Sequence, residues 1–211
     1  SALLDALERF PDRLRGVTLA GPDVTDAELE RLARAGVRGL RFSYFPPNVK
    51  DIGGVGLDKV VPLAERMRGH GLHPHLWAPC STLVTLLPDL LKLGLPIALD
   101  HMARITPSLG VEDAAFRELL AMVRSENIWI KLQPSRLSTQ HFHYTEVRPF
   151  FDSFIEAAPQ RMLWGTDWPF VRMGTNTPDA GKLADLFDEW VGDDALRQAI
   201  LVDNPARLFG F

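Results

Sequence analysis

Apolar residues along this chain recur in two alternating patterns. Short apolar runs read as strands beginning near 16, 37, 73, 97, 128 and 161. Longer stretches with apolar residues three and four apart read as helices over about 1–10, 25–36, 57–70, 81–94, 112–125, 144–158, 180–191 and 194–202. Leu3, Leu4 and Leu7 share one face of the first helix. Thr25 and Glu28 have the spacing of a capping box, and Gly36 is placed to end that helix in the left-handed conformation. Ser81 is expected to cap the leucine-rich helix. Asn204, with Pro205 at the first helical position, is expected to cap a last turn.

Apolar strands alternating with helices predict a parallel sheet covered by helices. No glycine-rich phosphate loop follows any strand, which removes the support for a dinucleotide- or P-loop fold. Polar residues gather where strands end: Arg41, Trp77, His101, Lys131 and Asp167. Barrel enzymes of the βα type build their sites at that end. Six strand–helix units where a closed barrel needs eight give the expectation of an α/β (β/α)₈ TIM barrel with strands 3–8 present and strands 1–2 missing.

The composition, 46% hydrophobic and 24% charged, is that of an ordinary globular chain and excludes a low-complexity reading. A net charge of −4, without a Lys/Arg cluster interleaved with aromatics, speaks against nucleic acid as a partner. The single cysteine, Cys80, allows no internal disulfide and suits a reducing, cytoplasmic setting. No apolar run approaches the roughly 20 residues of a membrane span.

Asp167 is the first candidate for chemistry. Such a residue is ordinarily a helix cap or salt-bridge partner, but this one ends an apolar strand between Trp164 and Trp168, aromatics expected to limit water. His101 ends another strand and carries the side chain most readily switched near neutral pH. Asp100, one residue earlier, is expected to point the opposite way. His73 and His75 open a strand at the end away from the site and read as structural. His141 and His143 read as a solvated loop. Arg41, Arg104, Lys131 and Arg136 at one face make an acidic small-molecule substrate the better reading, because buried cations need anionic partners.

The segments LDHMAR (99–104), KLQPSRLS (131–138), LWGTDWP (163–169) and DNPARLFGF (203–211) resemble the amidohydrolase family of TIM-barrel hydrolases. Arg136-Leu137-Ser138 and Arg41-Phe42 point to the lactonase branch related to 2-pyrone-4,6-dicarboxylate hydrolase. The resemblance covers the whole chain as one domain, 1–211. It implies that Asp167 is the general base on water, that His101 polarises the scissile carbonyl or binds metal, and that Arg41, Arg104 and Arg136 surround substrate carboxylates. Lys131 and Trp77 join them as substrate-binding candidates. Either one divalent metal such as zinc, held by His101 and Asp167, or none is compatible with the family. Two departures stand out: the strand-one His-x-His is absent, and Pro46-Pro47 and Phe170 occupy positions where a basic residue and a histidine are expected. The dicarboxylate itself is therefore not the expected substrate.

The resulting expectation is a hydrolase that opens a carboxylated lactone or related cyclic ester. The rivals are a metal-dependent decarboxylase of an aromatic or muconate-type acid, and an inactive barrel fragment whose unpaired edges would drive self-association into a homo-oligomer.

Overall fold

A computed structural model of the chain describes residues 1–46, 54–140 and 143–211. His141, of the second histidine pair, and Pro47 lie outside the described residues. The six expected strands form: β1 (Gly16–Thr18), β2 (Val37–Ser43), β3 (His73–Trp77), β4 (Ile97–Leu99), β5 (Ile128–Leu132) and β6 (Met162–Trp164). They make one sheet in chain order, and each neighbouring pair is parallel. The helices are α1 (Ala2–Arg9), α2 (Asp26–Arg34), α3 (Val60–Gly69), α4 (Cys80–Leu91), α5 (Ala114–Ser125), α6 (Arg148–Ala157), α7 (Ala180–Trp190), α8 (Asp194–Gln198) and α9 (Asn204–Phe209).

The two faces of the sheet are used differently, and this separates a barrel arrangement from a doubly wound one. Leu40, Phe42, Leu76, Leu99, Ile130 and Met162 pack into the same apolar cluster as the buried residues of α1 to α7. Alternate residues Ala98, Trp129 and Leu163 face the other way and form a small separate cluster covered by Leu208 and Phe209 of α9. One-sided winding in strand order 1-2-3-4-5-6 is the pattern of an incomplete barrel, with a helix-covered outside and a narrow inside.

The inner face has a crowded floor. Gly39 pairs in register with His73, and Arg41 with His75. A Cβ on Gly39 would lie 2.4 Å from His75 Cδ2, so only glycine leaves room for that ring. His73 and His75 are buried with their Nε2 atoms 3.0 Å apart, and both rings contact Phe209.

Local signals act largely as expected. Thr25 Oγ1 accepts from Glu28 N at 3.1 Å, and Gly36 has φ +98°. Two caps are different. Helix α4 starts at Cys80 after Pro79, with no side-chain cap, so Ser81 lies inside its first turn. Asn204 caps nothing; its amide donates 2.8 Å bonds to the carbonyls of Pro159 and Met162, tying α9 to β6. The stretch expected to continue α8 becomes a π-turn, Ala199–Asp203. Among the described residues no helix is long and apolar enough to cross a membrane.

Candidate active site

Two cavities open beyond the C-terminal ends of β2 to β6, and His101 lines both. One, of about 350 Å³, is bounded by Arg41, Asp100, Lys131, Asp167 and Phe209. The other, of about 320 Å³, is bounded by Trp77, Arg104, Arg136, Tyr144 and Arg172, with Ser135 and Ser138 between them. Together they match the size of a small-molecule site. Every site residue expected from the sequence lines one of the two.

The turn after β4 explains how two adjacent residues reach the same place. Asp100 is still extended (φ −74°, ψ 146°), whereas His101 to Arg104 all have φ between 43° and 56°. Four successive left-handed non-glycine residues are rare and concentrate at functional sites. They end the strand alternation, so Asp100 faces the first cavity beside His101 instead of pointing away from it.

Asp100 is also the partner of two expected substrate-gripping cations. Lys131 Nζ lies 2.6 Å from its Oδ1, and Arg41 Nε lies 3.0 Å from its Oδ2. Although burial opposes its ionisation, Lys131 and Arg41 outweigh that effect and hold the carboxyl below its ordinary range. The trio carries one surplus positive charge on the cavity floor.

His101 is buried, and its Nδ1 is bonded to Gln133 Oε1, while Gln133 Nε2 donates to Ser135 Oγ. An amide oxygen only accepts, so Nδ1 carries the proton and Nε2 presents a lone pair. Burial lowers the imidazole pKa, against the opposing pull of Asp100, Gln133 and Asp167. The neutral ring is therefore an acceptor toward the cavity.

Asp167 follows β6 by three residues with φ 69°, and its Oδ2 accepts from Arg136 Nε. Arg136 Nη2 also donates to the Val171 carbonyl at 3.1 Å. The tryptophans do not enclose the carboxylate: Trp168 is 75% exposed, and Trp164 contacts Phe187.

Arg104 stacks 4.4 Å over the Trp77 ring, and burial depresses its pKa. Among the described residues neither Arg104 nor Arg172 has an ion-pair partner, and no acidic side chain lines their cavity. Gln133, Tyr144 and Arg172 carried no expectation. Gln133 had a usable signal, because it stands two residues after Lys131 and so shares its face. Tyr144 and Arg172 adopt left-handed loop conformations that no periodicity marks.

His101 and Asp167, the donors expected for a divalent ion, both line the first cavity. Among the described residues no group of three or more His, Cys, Asp or Glu side chains comes together. That set falls short of the three protein ligands of a catalytic zinc site.

An incomplete barrel with a strand-end His, Asp and arginine-lined cleft defines an amidohydrolase-like fold, and comparison with known proteins agrees. The Amidohydrolase family model matches residues 1–211, and the chain belongs to that family. It is 37% identical over 227 residues to 4-sulfomuconolactone hydrolase of Rhizobium radiobacter, covering 100% of this chain and 71% of that protein. It is 32% identical over 224 residues to 2-pyrone-4,6-dicarboxylate hydrolase of Comamonas testosteroni, covering 99% and 70%. A solved structure of a probable 2-pyrone-4,6-dicarboxylic acid hydrolase from Acinetobacter baumannii, with citric acid bound, superposes with TM-score 0.84 at 28% identity. The match covers 100% of this chain and 78% of that one.

Proposed function

We propose that this chain hydrolyses a lactone bearing at least one anionic substituent, with β1 to β6 serving as strands 3–8 of a (β/α)₈ barrel. The observation that carries this reading is the cavity lined by Arg104, Arg136 and Arg172, with no acidic side chain among the described residues. Arg136 is paired with Asp167, but Arg104 and Arg172 have no counter-charge among the described residues, and an anionic ligand would supply one. The hydrolase relatives are named for sulfonated and carboxylated lactones, and the citrate complex shows a related fold accepting a polycarboxylate.

Charge placement supports the following roles. The anion sits among the arginines, which brings the lactone ring across His101 toward the first cavity. Asp167 accepts a proton from water as the water oxygen bonds to the carbonyl carbon. Negative charge then develops on the carbonyl oxygen, where the surplus cation of the Lys131–Arg41–Asp100 trio stabilises it. Collapse breaks the ring C–O bond, and the departing oxygen takes the proton back from Asp167. His101 Nε2, lacking a proton, positions the water or a substrate hydroxyl as an acceptor; polarising the carbonyl falls to Lys131.

The test is a continuous assay of acid release from anionic lactones. Turnover is expected for the wild type, with a loss of about 10²–10⁴-fold in kcat for Asp167→Asn. Unchanged turnover in that variant would remove Asp167 from the mechanism. A wild type inert toward every sulfonated and carboxylated lactone would remove the reaction.

A further inference from the structure

Arg136 occupies a position no other cation of the site shares. It lines the arginine cavity together with Arg104 and Arg172, yet its Nε is bonded to Asp167, which lines the neighbouring cavity. Its side chain is 27% exposed and that of Asp167 22%, so the pair stands at the junction, within reach of a ligand entering from solvent. The proposed proton acceptor is thus held by a group that also faces the substrate anion.

We propose that Arg136 ties Asp167 down until a substrate anion takes the guanidinium, so that filling one cavity frees the carboxylate in the other. This rests on the lactonase reading above. An incoming carboxylate or sulfonate offers the guanidinium the same charge-assisted contact that Asp167 offers, so one such bond replaces another at little net cost. The anion also supplies the counter-charge that Arg104 and Arg172 lack among the described residues. Once released, Asp167 Oδ2 is open to the attacking water in place of the guanidinium. A neutral lactone performs no such exchange and meets a carboxylate still held by Arg136 at Oδ2. The preference for anionic substrates therefore enters kcat as well as KM, because the anion completes the catalytic arrangement in addition to strengthening binding. Arg136 acts as a positioning residue through Asp167.

The experiment compares an anionic lactone with dihydrocoumarin, a neutral one, in the wild type and in Arg136→Gln, with folding checked by circular dichroism. Arg136→Gln is expected to lower kcat/KM for the anionic lactone while raising kcat for dihydrocoumarin by about tenfold or more, the scale of one hydrogen bond to a charged group. In the wild type, methanesulfonate at tens of millimolar (roughly the concentration a weak anion site needs) should fill the arginine cavity and accelerate dihydrocoumarin hydrolysis. It should have no such effect in Arg136→Gln. A folded Arg136→Gln with no rise on dihydrocoumarin overturns the proposal, and so does a wild type indifferent to methanesulfonate. The second arm needs no variant to fold. Failure of the wild type on all anionic lactones is a different result and defeats the function itself.

Discussion

Gln133 fixes the tautomer of His101: its amide oxygen accepts the Nδ1 proton, and its own amide is anchored on Ser135 Oγ. The Nε2 lone pair that faces the cavity is a consequence of this chain of bonds. Gln133→Leu releases the ring and leaves Nδ1–H buried without a partner. The expected result is a loss of about 10–100-fold in kcat/KM, the scale seen when an orienting partner of a site histidine is removed. Nitrogen-15 shifts of His101 should report a mixture of tautomers in the variant. A single tautomer at wild-type activity would show that Gln133 orients nothing.

Arg104 stacks on Trp77 and has no counter-ion among the described residues, a placement that favours a ligand over stability. Arg104→Met keeps an unbranched side chain against the indole and removes the charge. KM for an anionic lactone should rise about tenfold to a hundredfold, corresponding to loss of a charged hydrogen bond worth about 1.5–3 kcal/mol. The melting temperature should stay level or rise, because a desolvated cation has gone. An unchanged KM, measured by initial rates, would place the anion elsewhere.

How much of this was legible in the sequence differs between the fold and the site. All six strands and the end of the sheet at which the two cavities open follow from hydrophobic period and strand-end polarity, signals carried within a few residues of each other. The outward-pointing expectation for Asp100 failed because alternation holds only while the backbone stays extended, and His101 has φ 50°. Arg41 and Lys131 read as substrate-binding cations because their common partner in the chain is separated from them by 59 and 31 residues and meets them only through the register of β2, β4 and β5. Asn204 has the residue type and Pro205 spacing of a cap, but its amide meets the carbonyl of Met162, in a strand 42 residues earlier, and that of Pro159.

Acid should weaken the fold through the inner-face histidines. Burial is the main cause that pushes His73 down to about 4, with Lys131 and Arg38 adding to it. Burial also takes His75 well below its ordinary range, helped by Lys131, His73 and Arg41. Both rings are neutral when folded, whereas in the unfolded chain they take up protons near 6.5. The unfolded state therefore binds more protons below that pH. Stability is full above about 6.5 and falls as pH drops toward 4, by at most about 1.4 kcal/mol per pH unit for each histidine. Urea midpoints between pH 7.5 and 4.5 should decline, and His73→Asn, which keeps a donor toward His75, should flatten the curve. Identical slopes for wild type and variant would clear His73 of the effect.

Asn204 joins the last helix to the last strand of the sheet. Its amide satisfies the carbonyls of Pro159 and Met162, and its own oxygen accepts from Arg207 Nη2 at 3.0 Å. The residue is almost fully buried, so water does not replace these bonds when the side chain is cut back. Asn204→Ala leaves two carbonyls and one guanidinium without that partner, at about 2–4 kcal/mol in all. In a chain of this length the melting temperature should fall by roughly 5–15 °C. Asn204→Asp tests the direction of the bonds: a carboxylate can still accept from Arg207 but cannot donate to either carbonyl. It should therefore be at least as destabilising as alanine. Stability near that of the wild type in Asn204→Asp, measured by calorimetry, would mean that the contact with β6 contributes little to holding α9 in place.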